Sequence, residues 1–413
     1  MSETFHYHSP AFLVEPASAC YNEANVFRLA IVKEPMNIKS NPSLPYRRVV
    51  AKLGTSLLTG GSDHLDNNIM SSLVDQMAQL HKQGLELLVV SSGAITSGRY
   101  KLGLTKRLKG IPFRQVLASV GQNRLMYVYE QLFSQHDITV AQALLTRADL
   151  SARAGYLNTR NTLLALLELR VICIVNENDV VAVDEIEGAK FGDNDNLSAM
   201  VANLVDADLL LMLTDTVGLC TADPHRDPDA RLISQVDRID SEIERLAAGT
   251  STNRGTGGMI TKIEAAKLAT ASGVAVVIAD GREPDIISRV VSGESMGTLF
   301  RPITTKLESR KRWMLSGLGT RGKLIIDSGA ALALKKQNRS LLAAGIMQVE
   351  DDFQRGDIVN IYDPEGSPLG CGITNYSSAD IAAIQGAHSR KIASLLGYDY
   401  GSEVVHRNNL VIL

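Results

Sequence analysis

The feature that most constrains the fold is an alternation. From Arg48 onward, short runs dense in Val, Leu and Ile are each followed by a segment with helical spacing. "RVVAKLG" (48–54) is an apolar run stopped by a glycine. In "NNIMSSLVDQMAQLHKQG" (67–84), Ile69, Leu73, Met77 and Leu80 recur on one helical face that Gly84 ends. "LELLVVSSGA" reads as a buried strand, and "ITVAQALL", "VICIV", "DLLLMLT" and "VAVVIA" read as further strands. "YLNTRNTLLALLEL", "NLSAMVANLV" and "GMITKIEAAKLAT" read as helices between them. Strands apolar along their whole length, separated by helices, predict an α/β fold with a mainly parallel central sheet covered on both faces. Such sheets take ligands beyond the carboxyl ends of their strands, so the turns after these strands are where function is sought.

A chain of 413 residues is too long for one ordinary domain. Residues 1–46 hold no sustained period and several turn formers, and are read as a loosely ordered N-terminal extension. The αβα region then runs over 47–306. Near residue 320 the texture changes: "RGKLIIDSGA", "GDIVNIYDPEGSPLGCGITNY" and "NNLVIL" are short strands and hairpins, with brief helices around 378–385 and 389–396. The charged, glycine-bearing segment 307–320 is read as a linker, and 321–413 as a small β-rich second domain. The hydrophobic content of 45% supports real cores, and a net charge of −3 gives no sign of a nucleic-acid or membrane binder. The four cysteines lie far apart without CxxC spacing, which argues against a zinc site or disulfide framework and favours a cytoplasmic setting. No apolar run approaches the roughly 18 residues of a membrane span.

Six segments carry chemistry. In "AKLGTS", Lys52 precedes amides that can face an anion, although the Walker A pattern is absent. In "SSGAITSGR", Gly93 permits close backbone approach and Ser92 can donate to a carboxylate. "VNENDVV" and "FGDNDNLSAM" each crowd carboxylates and amides beside a buried strand. Metal binding is one reading, but neither matches an EF-hand loop; recognition of a small zwitterion is another. In "LLMLTDTVGL", Thr214 and Asp215 follow a strand, a place that suits a nucleotide. In "GTGGMITK", three glycines precede a helix whose first turn holds Lys262. A helix N-terminus attracts anions and disfavours a lysine, a conflict that disappears if a phosphate sits in the turn.

Two lysines, two glycine turns and an acidic cluster suit phosphoryl transfer, in which catalysis is positioning plus neutralisation of spread charge. No histidine stands in these turns as a general base. A carboxylate acceptor needs none, since a side chain with a pKa of about 4.3 is ionised at neutral pH. The difficulty is bringing two anions together. Paired lysines answer it, and an aspartate between them would hold both.

"KLGTS", "SSGA", "LLTRAD", "NENDVV", "GDNDNLSA", "LTDTVGLCTADP" and "GTGGMITK", followed by "LESRKRW", "GYDYG" and "VVHR", resemble the glutamate 5-kinases of the amino-acid kinase family. The resemblance implies an αβα-sandwich kinase domain followed by a PUA domain. It implies ATP-dependent phosphorylation of the side-chain carboxylate of L-glutamate to L-glutamyl 5-phosphate, with Mg²⁺ accompanying ATP. Carried over by motif, Lys52, Lys262 and Asp195 are catalytic, with Asp195 the organiser of both lysines. Ser92, Asp179 and Asn194 bind glutamate. Lys52, Thr214, Asp215, Thr256, Gly257, Gly258, Met259, Ile260, Thr261 and Lys262 bind ATP. The resemblance further raises feedback inhibition by proline, hand-over of product to a glutamate-5-semialdehyde dehydrogenase, and a homo-oligomer, dimer or tetramer. The rivals are another amino-acid kinase, acting on aspartate, acetylglutamate or carbamate, and an RNA-binding PUA protein, though RNA binding is not expected from the charge.

Overall fold

Strand β1 (Arg48–Leu53) and strand β2 (Glu86–Ser91) bury five of six side chains each, and β5 (Leu209–Thr214) and β7 (Ala275–Asp280) bury all six. Strands with two apolar faces belong in the middle of a sheet covered on both sides. With β3 (Val140–Leu145), β4 (Ile172–Glu177), β6 (Gln235–Val236) and β8 (Thr298–Phe300), they form an eight-stranded sheet of order β3-β4-β2-β1-β5-β7-β8-β6. All pairings are parallel except β7–β8. The computed structural model describes residues 44–104, 110–182, 194–224, 227–249, 258–306, 321–337 and 339–412. The expected extension up to residue 43, Phe191–Asp193, Thr256, Gly257 and the expected linker 307–320 lie outside the described residues.

The helices of this region are α1 (Thr55–Thr59), α2 (Asn67–Lys82), α3 (Ala94–Lys101), α4 (Ile111–Ser134), α5 (Arg147–Ser151), α6 (Arg153–Glu168), α7 (Asn194–Leu204), α8 (Ser241–Gly249), α9 (Met259–Ala271) and α10 (Ile286–Val291). The two-residue period of the strands divides them between two cores. Val49, Ala51 and Leu53 of β1 face α2, α4 and α10 with Leu73, Leu125 and Ile287; Leu44 and Tyr46 pack against the same core. Val50, with Leu210 and Met212 of β5, faces α6, α7 and α9 with Leu163, Val201 and Ala266. The chain thus passes from one side of β1 to the other, with β2 on one flank and β5 on the other. The carboxyl ends of these three neighbours open a crevice at the switch in strand order. Helix α4 is absent from the sequence reading. It crosses α3 at Gly98 and Gly121, where a Cβ on either glycine would overlap the facing backbone.

The second sheet contains β9 (Gly322–Ile326), β11 (Ile346–Glu350), β12 (Ile358–Tyr362), β13 (Pro368–Ile373) and β15 (Leu410–Ile412), in the order β11-β9-β12-β13-β15. The short strands β10 (Leu341–Leu342) and β14 (Glu403–Val405) pair separately. A helix at Ser328–Gln337, not foreseen from "RGKLIIDSGA", packs beside this sheet through Ala331 and Leu334. Within Ser40–Leu413, one compact unit, the two sheets meet along α6: Leu157 joins Ile358, Cys371, Ile373 and Val411 in an apolar cluster.

Polar ties at the amino end of the sheet hold β1 against β5. The Asp208 carboxylate accepts from the amides of Arg47 and Arg48 at 2.8 and 2.7 Å and pairs with Lys306. Burial pushes this carboxyl's pKa up, but Lys306 and the two amides outweigh it, and the net shift is downward. His81, near the end of α2, is buried, and its pKa falls from 6.5 to about 4, through burial first and then the charge of Arg170. A folded-state pKa below the unfolded one means that the unfolded chain takes up the proton first on acidification. The stability from keeping His81 neutral is therefore full above about 6.5 and is lost as pH falls toward 4. A tenfold change in proton affinity is worth about 1.4 kcal/mol, so about 3 kcal/mol is the ceiling, and screening by nearby solvent brings the contribution below it. Urea unfolding at pH 7 and pH 4.5 should accordingly show a smaller acid-induced loss of stability in His81→Gln than in the wild type. Equal losses would remove His81 from the acid response.

Candidate active site

Three turns at the carboxyl ends of β1, β2 and β5 form the floor of one polar cleft. The sheet pattern runs on past the strands: the amide of Gly54 donates to Leu213 O at 3.2 Å, and that of Ser92 to Leu53 O at 3.1 Å. Gly93 takes φ +103°, a conformation that favours glycine, and turns the chain from β2 into α3. Lys52, Ser92, Asp179, Asn194, Thr214, Asp215 and Lys262 all line this cleft. They come from six different segments, and the fold brings them together.

The centre of the site is Asp195, in the first turn of α7 and with no exposed surface. Its Oδ1 pairs with the Lys52 ammonium. Its Oδ2 accepts from Lys262 Nζ at 3.2 Å and from Thr261 Oγ1 at 2.8 Å. Lys52 is 3% exposed and Lys262 7%, so both ammoniums sit almost out of water around one carboxylate. The group carries a net charge of +1 in a poorly solvated cleft, which favours an incoming anion. The lysine in the first turn of α9 has its negative partner in Asp195, which resolves the conflict with the helix dipole noted in the sequence. Gly258 is the N-cap of α9, and its carbonyl accepts from Thr261 Oγ1 at 2.9 Å.

Asn194 precedes Asp195 and faces the other way along the cleft. Its Nδ2 lies 2.8 Å from Ser91 O, 3.0 Å from Ser92 Oγ and 2.9 Å from Asn176 Oδ1. These acceptors fix the orientation of the amide and leave Oδ1 buried without a partner among the described residues. A buried acceptor beside a cleft is a place for a ligand's N–H donor. Asn176 is itself held: its Nδ2 donates to Gln122 Oε1 at 2.8 Å, and its Oδ1 accepts from the Glu177 amide at 2.9 Å. Asp179, half-buried, supplies the carboxylate nearby.

On the β5 side, Thr214 Oγ1 donates to Asp215 Oδ1 at 3.1 Å. Arg282 reaches over from the end of β7, donating to Asp215 O at 2.8 Å and gripping Asp280 through Nε and NH2 at 2.9 and 2.6 Å. Burial acts to raise the Asp280 pKa, but the hydrogen bonds and charge of Arg282 hold it below the usual carboxylate range. Sequence reasoning missed this pair, although "VAVVIADGR" places it after a buried strand like the others. It also missed Arg114, which lines the cleft from α4 together with Glu177 and Asp179. Met259, Ile260 and Thr261 follow Gly258 in the first turn of α9, whereas Thr256 and Gly257 lie outside the described residues. No cluster of three or more His, Cys, Asp or Glu side chains that could hold a metal occurs among the described residues.

Comparison with known proteins gives the family. Residues 47–280 match the model of the amino acid kinase family, and residues 322–396 that of the PUA domain. A protein of Dehalococcoides mccartyi named glutamate 5-kinase is 60% identical over 89% of this chain and 99% of its own. Proteins of the same name from Herpetosiphon aurantiacus and Shewanella sediminis are 50% and 51% identical over 89% of this chain and 98% of theirs. The chain belongs to the glutamate 5-kinases of the amino acid kinase family. Among solved structures, a UMP kinase from Bacillus anthracis aligns with 63% of this chain and 98% of its own, at 16% identity and a TM-score of 0.43, too slight a likeness to bear on the site.

Two substitutions separate charge from structure in this cluster. Lys262→Ala leaves Asp195 paired with Lys52, so the melting temperature should hold, while turnover falls at least 100-fold, a loss of about 3 kcal/mol or more of transition-state stabilisation. Asp195→Asn instead leaves two buried ammoniums facing each other and should lower the melting temperature as well as turnover. Calorimetry and an ADP-release assay on both variants check the contrast.

Proposed function

We propose that the chain transfers the γ-phosphoryl group of ATP to the side-chain carboxylate of L-glutamate, giving L-glutamyl 5-phosphate and ADP, the first step of proline biosynthesis. The observation that supports this best is the pair of ammoniums on one fully buried carboxylate. A carboxylate oxygen attacks the γ-phosphorus, and the bond to the β–γ bridging oxygen breaks with its electron pair leaving on ADP. Both reactants are anions, and neither needs deprotonation. The barrier lies in approach and in charge spread over the transferring group, which Lys52 and Lys262 neutralise from fixed positions. Asp195 holds them apart and in place. It does not accept a proton, because both its oxygens are engaged by cationic donors.

In this reading Asp179 takes the substrate ammonium, Asn194 Oδ1 accepts a second N–H of that group, and Ser92 lies beside it. Thr214, Asp215 and the first turn of α9, from Gly258 to Lys262, take the nucleotide, with Thr256 and Gly257 completing the glycine turn. ATP brings a divalent ion, read as Mg²⁺. With both oxygens of Asp195 occupied and no described metal-binding cluster, the ion would be held chiefly by the phosphates. It would add charge neutralisation on the phosphates. The proposal extends to a kinase domain at 47–306 and a PUA domain at 321–413, a homo-oligomer, sensitivity to proline, delivery of the labile acyl phosphate to a glutamate-5-semialdehyde dehydrogenase, and action in the cytoplasm. No described helix is long and apolar enough to cross a membrane.

The purified chain, given Mg²⁺-ATP and hydroxylamine, should form hydroxamate from L-glutamate and far less from L-aspartate or N-acetyl-L-glutamate. ADP release with carbamate should stay at background. A preference for any of these other acceptors would replace the glutamate assignment with that substrate's.

A further inference from the structure

We propose that Arg160 is a positioning residue for the two-lysine centre: it holds helix α7 by the end remote from Asp195 and anchors that end to the second domain. The proposal rests on the kinase reading above for its catalytic consequence. Arg160 lies in α6 and is 2% exposed. Its guanidinium donates to Leu204 O, the last carbonyl of α7, and through NH2 to Asp206 Oδ2 at 2.6 Å. The same side chain reaches the second domain, donating from Nε to Asn409 Oδ1 at 2.7 Å and from NH2 to Asn408 O at 2.9 Å. One planar fork thus joins a helix end, the turn behind it and the segment just before β15.

Three features give this knot a bearing on Asp195. First, α7 is one unbroken helix from Asn194 to Leu204, so its two ends are about 15 Å apart and move together, at about 1.5 Å of rise per residue. Second, although Leu204 is buried in the core, one side of the helix end faces open space. A cavity of ≈290 Å³ lies against Arg160, Leu204 and Asn409, with Leu268 of α9 and Ile373 of β13 on its other walls. Where side chains do not fill the space, directed hydrogen bonds set the position. Third, Asp206 sits at φ +52°, a left-handed conformation uncommon for a residue with a Cβ, and it is held there by Arg160 and by Lys306, whose Nζ donates to its carbonyl at 2.9 Å. Helix α9, which carries Lys262 at its other end, borders the same cavity, and Asn203 Nδ2 of α7 lies 3.4 Å from Leu268 O. The helices bearing Asp195 and Lys262 are therefore registered against each other at the domain boundary.

Displacement of a catalytic group by about 1 Å can lower turnover about 100-fold. A part of that loss is expected when the knot is loosened. Asn409→Ala removes the acceptor of Arg160 Nε and a long donation to Asn161 Oδ1 at 3.4 Å, and Arg160→Ala removes the whole fork. Asn409→Ala should lower kcat roughly 3- to 10-fold and Arg160→Ala more, with KM for glutamate and for ATP within about twofold of the wild type, because the substrate contacts stay in place. Arg160→Lys should not rescue, since an ammonium cannot serve four acceptors in a plane. Amide hydrogen exchange should rise across α7 as far as its first turn, near Asp195. Wild-type kcat in folded Asn409→Ala and Arg160→Ala, a KM rise that accounts for the loss, or extra exchange confined to residues 204–208 would each overturn the proposal. If Arg160→Ala does not fold, Asn409→Ala decides. Should the wild type fail to act on glutamate, the kinase reading falls, and the exchange result alone judges the coupling.

Discussion

Everything in the cleft is arranged around one carboxylate that water does not reach. Asp195 would be costly to bury alone, and so would either lysine; together they are tolerable only in a fixed geometry, with Thr261 satisfying a further lone pair. The stability of the fold and its reactivity toward an anion are thus two aspects of one arrangement. The cluster keeps an excess positive charge because it holds two cations to one anion, and the fold tolerates that excess because it is small and opens toward a cleft where a phosphate can complete it.

The sheet supplies the accuracy. Lys52 lies on the central strand, in register with Val90 of β2 and Met212 of β5, so its backbone is fixed from both sides. Asp195 and Lys262 come from helices packed on the face of the sheet that holds Val50 and Met212. The same layer brings Ser92, Thr214 and Gly54 to one rim. The elements that hold the three charged groups are short strands and helix first turns, which have few internal degrees of freedom.

Much of this was legible in the sequence because parallel strands are apolar along their whole length and the chemistry follows directly after them. The turns at Lys52, Ser92, Thr214 and Lys262 could be marked without knowing which strand neighbours which. The dipole conflict at Lys262 pointed to a phosphate in the turn, whereas an aspartate holding both lysines was expected from their charge and named as Asp195 only through the family resemblance. What escaped reading has physical reasons too. Helix α4 buries Leu117, Gly121, Leu125, Val128 and Phe133 on one face, but it also exposes Val116 and Tyr127, which blurs the stripe. Arg114 was lost with that helix. Arg160 carried no mark of its own in the helix "YLNTRNTLLALLEL", because its partner Asn409 is 249 residues away. Contacts of such range leave no periodic trace in a single chain.

The pocket at the domain boundary is partly open to solvent, so water already reaches the walls formed by Leu204, Leu268 and Ile373. What parting the domains would newly wet is the apolar cluster of Leu157, Ile358, Cys371, Ile373 and Val411. Apolar burial of that kind weakens on cooling, so in the cold the directed bonds of Arg160 carry a larger share of the connection.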